Sequence, residues 1–227
     1  MSRFSRFIKV IGENDFNKIN NSSVLIVGLG GVGGYVVESL ARSGIGKLIL
    51  VDYDTVDESN INRQIIALSS TVGRKKTEVF KQRILDINPN CEVVLYDIFY
   101  EDANKDVIFE NKIDYVVDAC DTVSSKKSLI LECLNRNIPF VSCMGTGNKM
   151  DPSKFYITDI RKTDIDPLAR VLRKWVKDEK IRGKINVLSS SEVPVKTHDR
   201  TLGSTSFVPP TAGLMIAGYV INNIIKK

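Results

Sequence analysis

A doubly wound, mostly parallel α/β fold is predicted by three observations. Short apolar runs alternate with apolar-periodic segments of helical length along most of the chain. The first run, Val24-Leu25-Ile26-Val27, leads into a glycine turn, Gly28-Leu29-Gly30-Gly31-Val32-Gly33. The second, Leu48-Ile49-Leu50-Val51, ends in Asp52 and Asp54. Strand, glycine turn, helix, strand and acid is the order of a nucleotide-binding βαβ unit. Glycine lets the backbone turn tightly and approach phosphate oxygens, and a helix N-terminus favours negative charge there. An acid at the second strand end can accept from a ribose hydroxyl.

Each element follows from its own pattern. The first helix runs from the glycine turn to near Arg42. Residues 73–88 form a second helix, with Val79, Phe80, Ile84 and Ile87 near one face and Pro89 after its end. Residues 91–96 and 113–117 are strand-like, the latter leading into Asp118-Ala119-Cys120-Asp121. A helix over 124–135, a strand over 139–144 and the turn Gly145-Thr146-Gly147 follow. From Asp151 the pattern becomes mixed: a strand over 155–160, a basic helix, strand-like runs over 185–188 and 193–195, and a final helix. The expected architecture is one Rossmann-like domain over 1–227, with 151–227 as a mixed α+β extension of its sheet.

Composition narrows the function. With 227 residues, 43% apolar and 26% charged, the chain has ordinary globular proportions. Its longest apolar stretch, 212–225, is interrupted by Asn222 and Asn223 and falls short of the ~20 residues of a membrane span, so a packed helix is expected. The start, Met1 to Phe7, has no signal-peptide apolar core, and a cytoplasmic location with no membrane contact is expected. Cys91, Cys120, Cys133 and Cys143 form no Cys-x-x-Cys pair and His198 is the single histidine, so no zinc is expected. No acid-base partner for His198 is evident. Buried cysteines are usually small hydrophobes, though Cys120 beside Asp121 is a position to check.

The net charge of +5 is concentrated. Residues 161–184 hold nine basic and four acidic side chains, enough to account for that excess. Within them Leu168, Val171, Leu172, Trp175 and Val176 fall at helical spacing, with Arg170, Arg173, Lys174 and Lys177 between them. One face would be apolar and the other basic. A charge run is commonly a solvated face; the functional alternative is contact with a nucleic-acid backbone.

Two further segments separate the candidate chemistries. Asn60-Ile61-Asn62-Arg63-Gln64 and Gly73-Arg74-Lys75-Lys76-Thr77-Glu78 follow the acidic strand end. Arg63 and Lys76 could both reach phosphates held over the glycine turn. Hydride transfer needs no such cationic pair; attack on an α-phosphate does, because charge builds on phosphoryl oxygens. Asp121, at the end of a later strand, is placed to hold Mg²⁺, which takes one or two carboxylates with phosphate oxygens. Asp118 is an alternative N-cap for the following helix, and Lys149 is expected in solvent.

This set of motifs, in this order from Val24 to Asp121, resembles the ubiquitin-activating-type (ThiF/MoeB/HesA-like) adenylating enzymes. The resemblance implies ATP and Mg²⁺ as cofactors. It implies ATP contacts from Gly28, Gly30, Gly31, Gly33, Asp52, Asp54, Asn60, Arg63, Gln64, Lys76 and Asp121, with Asp121 also on Mg²⁺. Arg63 and Lys76 would be catalytic, and Arg6 is similar to the arginine that family homodimers lend to the partner's ATP site. The chain lacks the paired Cys-x-x-Cys zinc motifs of the sulfur-carrier activators, and it is too short for the separate catalytic-cysteine domain of ubiquitin activators. Ser43-Gly44-Ile45-Gly46, Asp86-Ile87-Asn88-Pro89, Lys149-Met150-Asp151-Pro152, Asp166-Pro167-Leu168-Ala169 and Phe207-Val208-Pro209 resemble instead the branch that dehydrates threonylcarbamoyladenosine in tRNA. That branch implies tRNA as partner, a homodimer, and a sulfur-relay protein as a further candidate partner. The loop between Ser189 and Phe207 is short for the branch.

Three other readings stay open on sequence. One is adenylation of the C-terminal Gly-Gly of a ubiquitin-like sulfur carrier, which uses the same site. Another is a dinucleotide-dependent oxidoreductase, against which Arg63, Lys76 and Asp121 argue. The last is a dimer that binds nucleotide without turnover.

Overall fold

The computed structural model describes residues 3–197 and 201–226, so His198 lies outside the described residues. β1 (Ser23–Val27) and β2 (Lys47–Val51) pair in parallel, Val24 opposite Leu48, with α3 (Gly33–Arg42) crossing between them. β3 (Glu92–Tyr96) adds to β2, and β4 (Tyr115–Asp118) to the other side of β1. β5 (Phe140–Cys143) and β7 (Asn186–Ser190) continue the sheet in parallel, and β6 (Phe155–Asp159) closes it antiparallel to β7. The order is β3-β2-β1-β4-β5-β7-β6, which reverses direction at β1 and β4. A crevice at the carboxyl ends of those two strands is where such sheets bind ligands.

The sheet is buried on both faces, and the period-two alternation of side chains divides the core. Val24, Ile26, Leu48 and Leu50 face one apolar cluster, completed by α3, α4 (Lys76–Ile87) and α8 (Val208–Ile225). Leu25, Val27, Ile49 and Val51 face the other, completed by α5 (Lys105–Phe109), α6 (Val123–Arg136) and α7 (Pro167–Asp178). Helix α8 is long and apolar enough to cross a membrane by length and composition, yet it packs on α3. The crossing is close: a Cβ on Gly213 would stand 2.4 Å from the Val32 carbonyl oxygen.

Four local expectations differ from the structure. Residues 193–195 form no strand; Val193 is 70% exposed, and Pro194 has no N–H for a ladder. The helix expected from Gly73 begins at Lys76, because Gly73 sits at φ +85° and donates to the Val56 carbonyl in a turn. Val171 is 47% exposed rather than on the apolar face of α7, which buries Ala169, Leu172 and Val176. Two N-terminal helices, α1 (Ser5–Ile11) and α2 (Glu13–Asn20), precede the first strand and are not among the expected elements; of their residues only Ile19 is buried.

Candidate active site

A cavity of about 430 Å³ opens at the switch point between β1 and β4. Its wall includes Gly28, Gly30, Gly31, Asp52, Asp54, Asn60, Arg63, Gln64, Lys76 and Asp121, brought together from five separate segments. Gly33 does not line it. A Cβ there would lie 1.8 Å from the Gly28 carbonyl oxygen, so Gly33 serves the close packing of α3 on the turn. Gly28 needs its own freedom for another reason: it stands at φ +90°, with the Ala119 carbonyl 2.7 Å from where a Cβ would be.

Most of the charges in the wall are held by neighbours. Lys76, 4% exposed at the first position of α4, donates to Asp54 Oδ2 at 2.7 Å and lies 3.9 Å from Asp52 Oδ1. Asp52 accepts from the Leu29 N–H at 2.6 Å and the Asp54 N–H at 2.9 Å, fixing the second strand end against the glycine turn. Burial pushes the Asp52 carboxyl above its ordinary range, with Lys76 opposing that shift. Half-buried Arg63 donates to the Ser59 carbonyl and to Asn62 Oδ1, both at 2.8 Å. Asn60, also buried, takes the Asp57 N–H in a capping box, setting the short helical turn that presents Arg63 and Gln64. Gln64 Oε1 is buried without a hydrogen-bond partner, an orphan acceptor in the wall of the kind a ligand satisfies.

Asp121 is exposed at the cavity and enters no ion pair among the described residues. Among the described residues no group of three His, Cys, Asp or Glu side chains could cage a metal. A single free carboxylate suits Mg²⁺ that keeps its waters and phosphate oxygens. Asp118 is neither an N-cap nor open to a metal. The cap position of α6 is Thr122, and Asp118 is buried, accepting from Lys126 Nζ at 3.0 Å and from the Ser142 hydroxyl. Lys126 is fully buried and also donates to the Cys143 carbonyl at 2.8 Å. Cys120 lines the cavity, but burial and the Asp118 carboxylate, to which its thiol donates at 3.0 Å, push its pKa well up. Such surroundings disfavour the thiolate that a cysteine nucleophile needs.

Several wall residues carried no readable motif. Tyr53 and Phe99 stack edge-on at 5.2 Å beside the acids, and Tyr53 could have been noticed between Asp52 and Asp54. Leu202, Gly203 and Ser204 close another side, tied by Asn62 Nδ2 donating to the Ser204 carbonyl at 3.2 Å. Lys149, expected in solvent, is 2% exposed and donates to Asp166 Oδ2 at 2.8 Å.

The remaining predicted residues lie elsewhere. Arg6 is exposed on α1 and is not part of this chain's own cavity wall. On α7, Arg170, Lys174 and Lys177 are exposed at one face, whereas Arg173 is half-buried and donates to Thr163 Oγ1 at 2.7 Å and to the Asp164 carbonyl at 3.0 Å.

Fold and site together define a nucleotide-binding α/β protein with cations poised beside a phosphate-binding glycine turn. The chain belongs to the ThiF family, whose model matches residues 3–227. It is 41% identical over 243 residues to a tRNA threonylcarbamoyladenosine dehydratase of Bacillus subtilis (strain 168), covering 100% of this chain and 96% of that protein. A Haemophilus influenzae protein of the same name is 34% identical, covering 99% and 94%. The crystal structure of the E. coli tRNA N6-threonylcarbamoyladenosine dehydratase TcdA in complex with ATP superposes with a TM-score of 0.94 at 34% identity, covering 99% and 94%.

Proposed function

We propose that this chain dehydrates threonylcarbamoyladenosine in tRNA, using ATP and releasing AMP and pyrophosphate. One observation carries the reading: a single cavity assembles the glycine turn, the ribose-side acid Asp52, Arg63 and Lys76, in a chain that matches such dehydratases from end to end. The threonyl carboxylate attacks the α-phosphate and pyrophosphate leaves, giving an acyl-adenylate. The neighbouring carbamoyl group then closes onto the activated carbonyl and expels AMP. The net loss of water from the nucleoside is driven by cleavage of ATP. Because the second nucleophile belongs to the substrate, no cysteine is needed, in keeping with surroundings that push the Cys120 thiol's pKa up.

The residues divide the work by charge. Gly28, Gly30 and Gly31 offer close backbone approach to phosphates. Lys76 exchanges Asp54 for phosphoryl oxygen, and Arg63 is the second cation in the wall; both meet the charge that grows during displacement. Asp52 accepts from ribose, and Gln64 Oε1 gains a donor it lacks. Asp121 would hold Mg²⁺, which neutralises the phosphate oxygens when bound. Arg170, Lys174 and Lys177 give the tRNA backbone a face, with Arg173 holding the loop beside it. The working unit is one adenylating domain over 1–227, its segment 151–227 carrying that helix. It acts as a cytoplasmic homodimer in which Arg6 completes the partner's ATP site. Zinc has no part in this reading, and a sulfur-relay protein remains a candidate partner. Adenylation of a Gly-Gly carrier is not favoured, because the end-to-end relatives bear the tRNA enzyme's name.

The test combines purified protein, ATP, Mg²⁺ and tRNA bearing threonylcarbamoyladenosine. Nucleoside mass spectrometry should register the loss of one water, with AMP formed in step. Arg63→Ala and Lys76→Ala should abolish both while the proteins stay folded. An unchanged nucleoside, with pyrophosphate exchange on a Gly-Gly-tailed protein, would move the chain to the carrier-activating branch.

A further inference from the structure

Lys149 has no role in the site described above, yet it is buried and its ammonium makes two hydrogen bonds. It donates to the Gly145 carbonyl and to Asp166 Oδ2, within a pair 1% and 0% exposed. Asp166 also holds α7 by its start: its Oδ1 caps the helix through the Ala169 N–H at 2.9 Å and accepts the Gly145 N–H at 3.4 Å. Gly145 is therefore gripped at both its carbonyl and its N–H. A Cβ there would come within 3.0 Å of Asp166 Oδ2, a tight approach that any side chain at this position would have to push back.

The residues between Gly145 and Lys149 reach the nucleotide cavity. Thr146 and Gly147 line it. Asn148, in the left-handed region at φ +55°, donates its N–H to the Gly203 carbonyl at 2.8 Å and takes the Gly203 N–H on its side chain. Gly203 belongs to the loop that closes the cavity. One five-residue segment thus touches the nucleotide cavity, its closing loop and, through the buried Lys149–Asp166 pair and the longer Gly145 N–H contact, the cap of the basic helix. A buried pair of this kind is weak evidence for net stability, and its best-attested use is to specify one arrangement over others.

We propose that Lys149 and Asp166 are positioning residues that couple nucleotide occupancy of the cavity to tRNA binding on α7. The inference rests on the dehydratase reading. When nucleotide fills the cavity, the 145–149 segment is ordered against it, and the Lys149–Asp166 pair transmits that order to the helix start. The coupling is a linkage between two ligands and must be reciprocal.

The experiment measures the Kd of threonylcarbamoyladenosine-bearing tRNA with and without AMPCPP, an ATP analogue that cannot be cleaved at the α-phosphate. Wild type is expected to bind tRNA about fivefold or more tightly with the analogue present. Lys149→Met is expected to lose that ratio while the Kd of each ligand alone stays near the wild-type value. A variant that merely loosened the fold would weaken both separate affinities. Lys149→Gln, whose amide can still donate to one acceptor, should keep part of the ratio and decides the matter where the methionine variant does not fold. The proposal is overturned if wild type shows no linkage, or if either folded variant keeps it whole. Wild type that dehydrates tRNA without linkage sinks the coupling alone; wild type that neither binds nor dehydrates the tRNA sinks the dehydratase reading with it.

Discussion

Replacing Lys126 by Met tests the buried polar cluster that supports the cavity wall. The ammonium is fully buried and has three acceptors: Asp118 Oδ1 at 3.0 Å, the Cys143 carbonyl at 2.8 Å and Ser142 Oγ at 3.4 Å. Burial lowers the lysine's pKa, but the charge and hydrogen bond of Asp118, together with Cys120 and Cys143, hold it above its ordinary value. The lysine's contribution is therefore complete at neutral pH and is lost as pH rises through the folded lysine's pKa. Met fills the volume but strands the Asp118 carboxylate. Breaking one side of a buried pair costs about 3–5 kcal/mol. Asp118 retains the Ser142 hydroxyl and the Cys120 N–H as donors, which favours the lower end, about 3 kcal/mol. For a chain of this size that is a fall in Tm of roughly 6–12 °C. Urea denaturation at pH 7, followed by circular dichroism, measures it directly. Asp118→Asn/Lys126→Met removes the stranded charge and should recover about 1 kcal/mol or more. A single variant that loses less than about 1 kcal/mol, or a double variant no better than the single, would refute the reasoning.

Three further outcomes are expected. Glu38→Gln should destabilise by about 1–2 kcal/mol at pH 7, allowing for the solvent exposure of Arg83 and Arg42. Burial opposes the Glu38 charge, but hydrogen bonds from Arg83 and Arg42 hold its carboxyl below the ordinary range; the two proteins should therefore converge in stability as pH falls through that lowered value. Cys120→Ala should retain AMP formation with tRNA, and abolished turnover in a folded variant would restore the thiol as a chemical group. Reversing Arg170, Lys174 and Lys177 to Glu should weaken tRNA binding and reduce its salt slope by about one for each phosphate no longer neutralised; an unchanged slope would leave α7 a solvated face.

What is legible in the sequence follows from where each residue's partner sits. The β1–α3–β2 unit is legible because its glycines, strand alternation and terminal acids are local. Arg63, Lys76 and Asp121 are legible as a set because their order along the chain resembles a known constellation, and the cavity does bring them together. Gly33 reads as a nucleotide contact but packs on Gly28, a distinction that depends on the crossing distance of two backbones. Asp118 and Lys149 escape the sequence for one reason: their partners, Lys126 and Asp166, lie on other elements and leave no periodic trace. Val193 and Val195 resemble strand residues by type, but nothing buries them. Arg173 resembles its basic neighbours, and only the fold turns it back to Thr163.

The close crossing of Gly213 on the Val32 carbonyl, with Pro209 in the cavity wall, has a consequence for biosynthesis. The glycine turn leaves the ribosome well before the helix that braces it. A nascent chain can form β1, α3 and β2 locally and still lack one side of its nucleotide cavity. Contacts of such large sequence separation form late, after the loop-closure entropy between them has been overcome. A chain stalled before Val208 would carry the phosphate-binding turn without the Pro209 side of its cavity, and is expected to hold nucleotide less well than one in which α8 has docked.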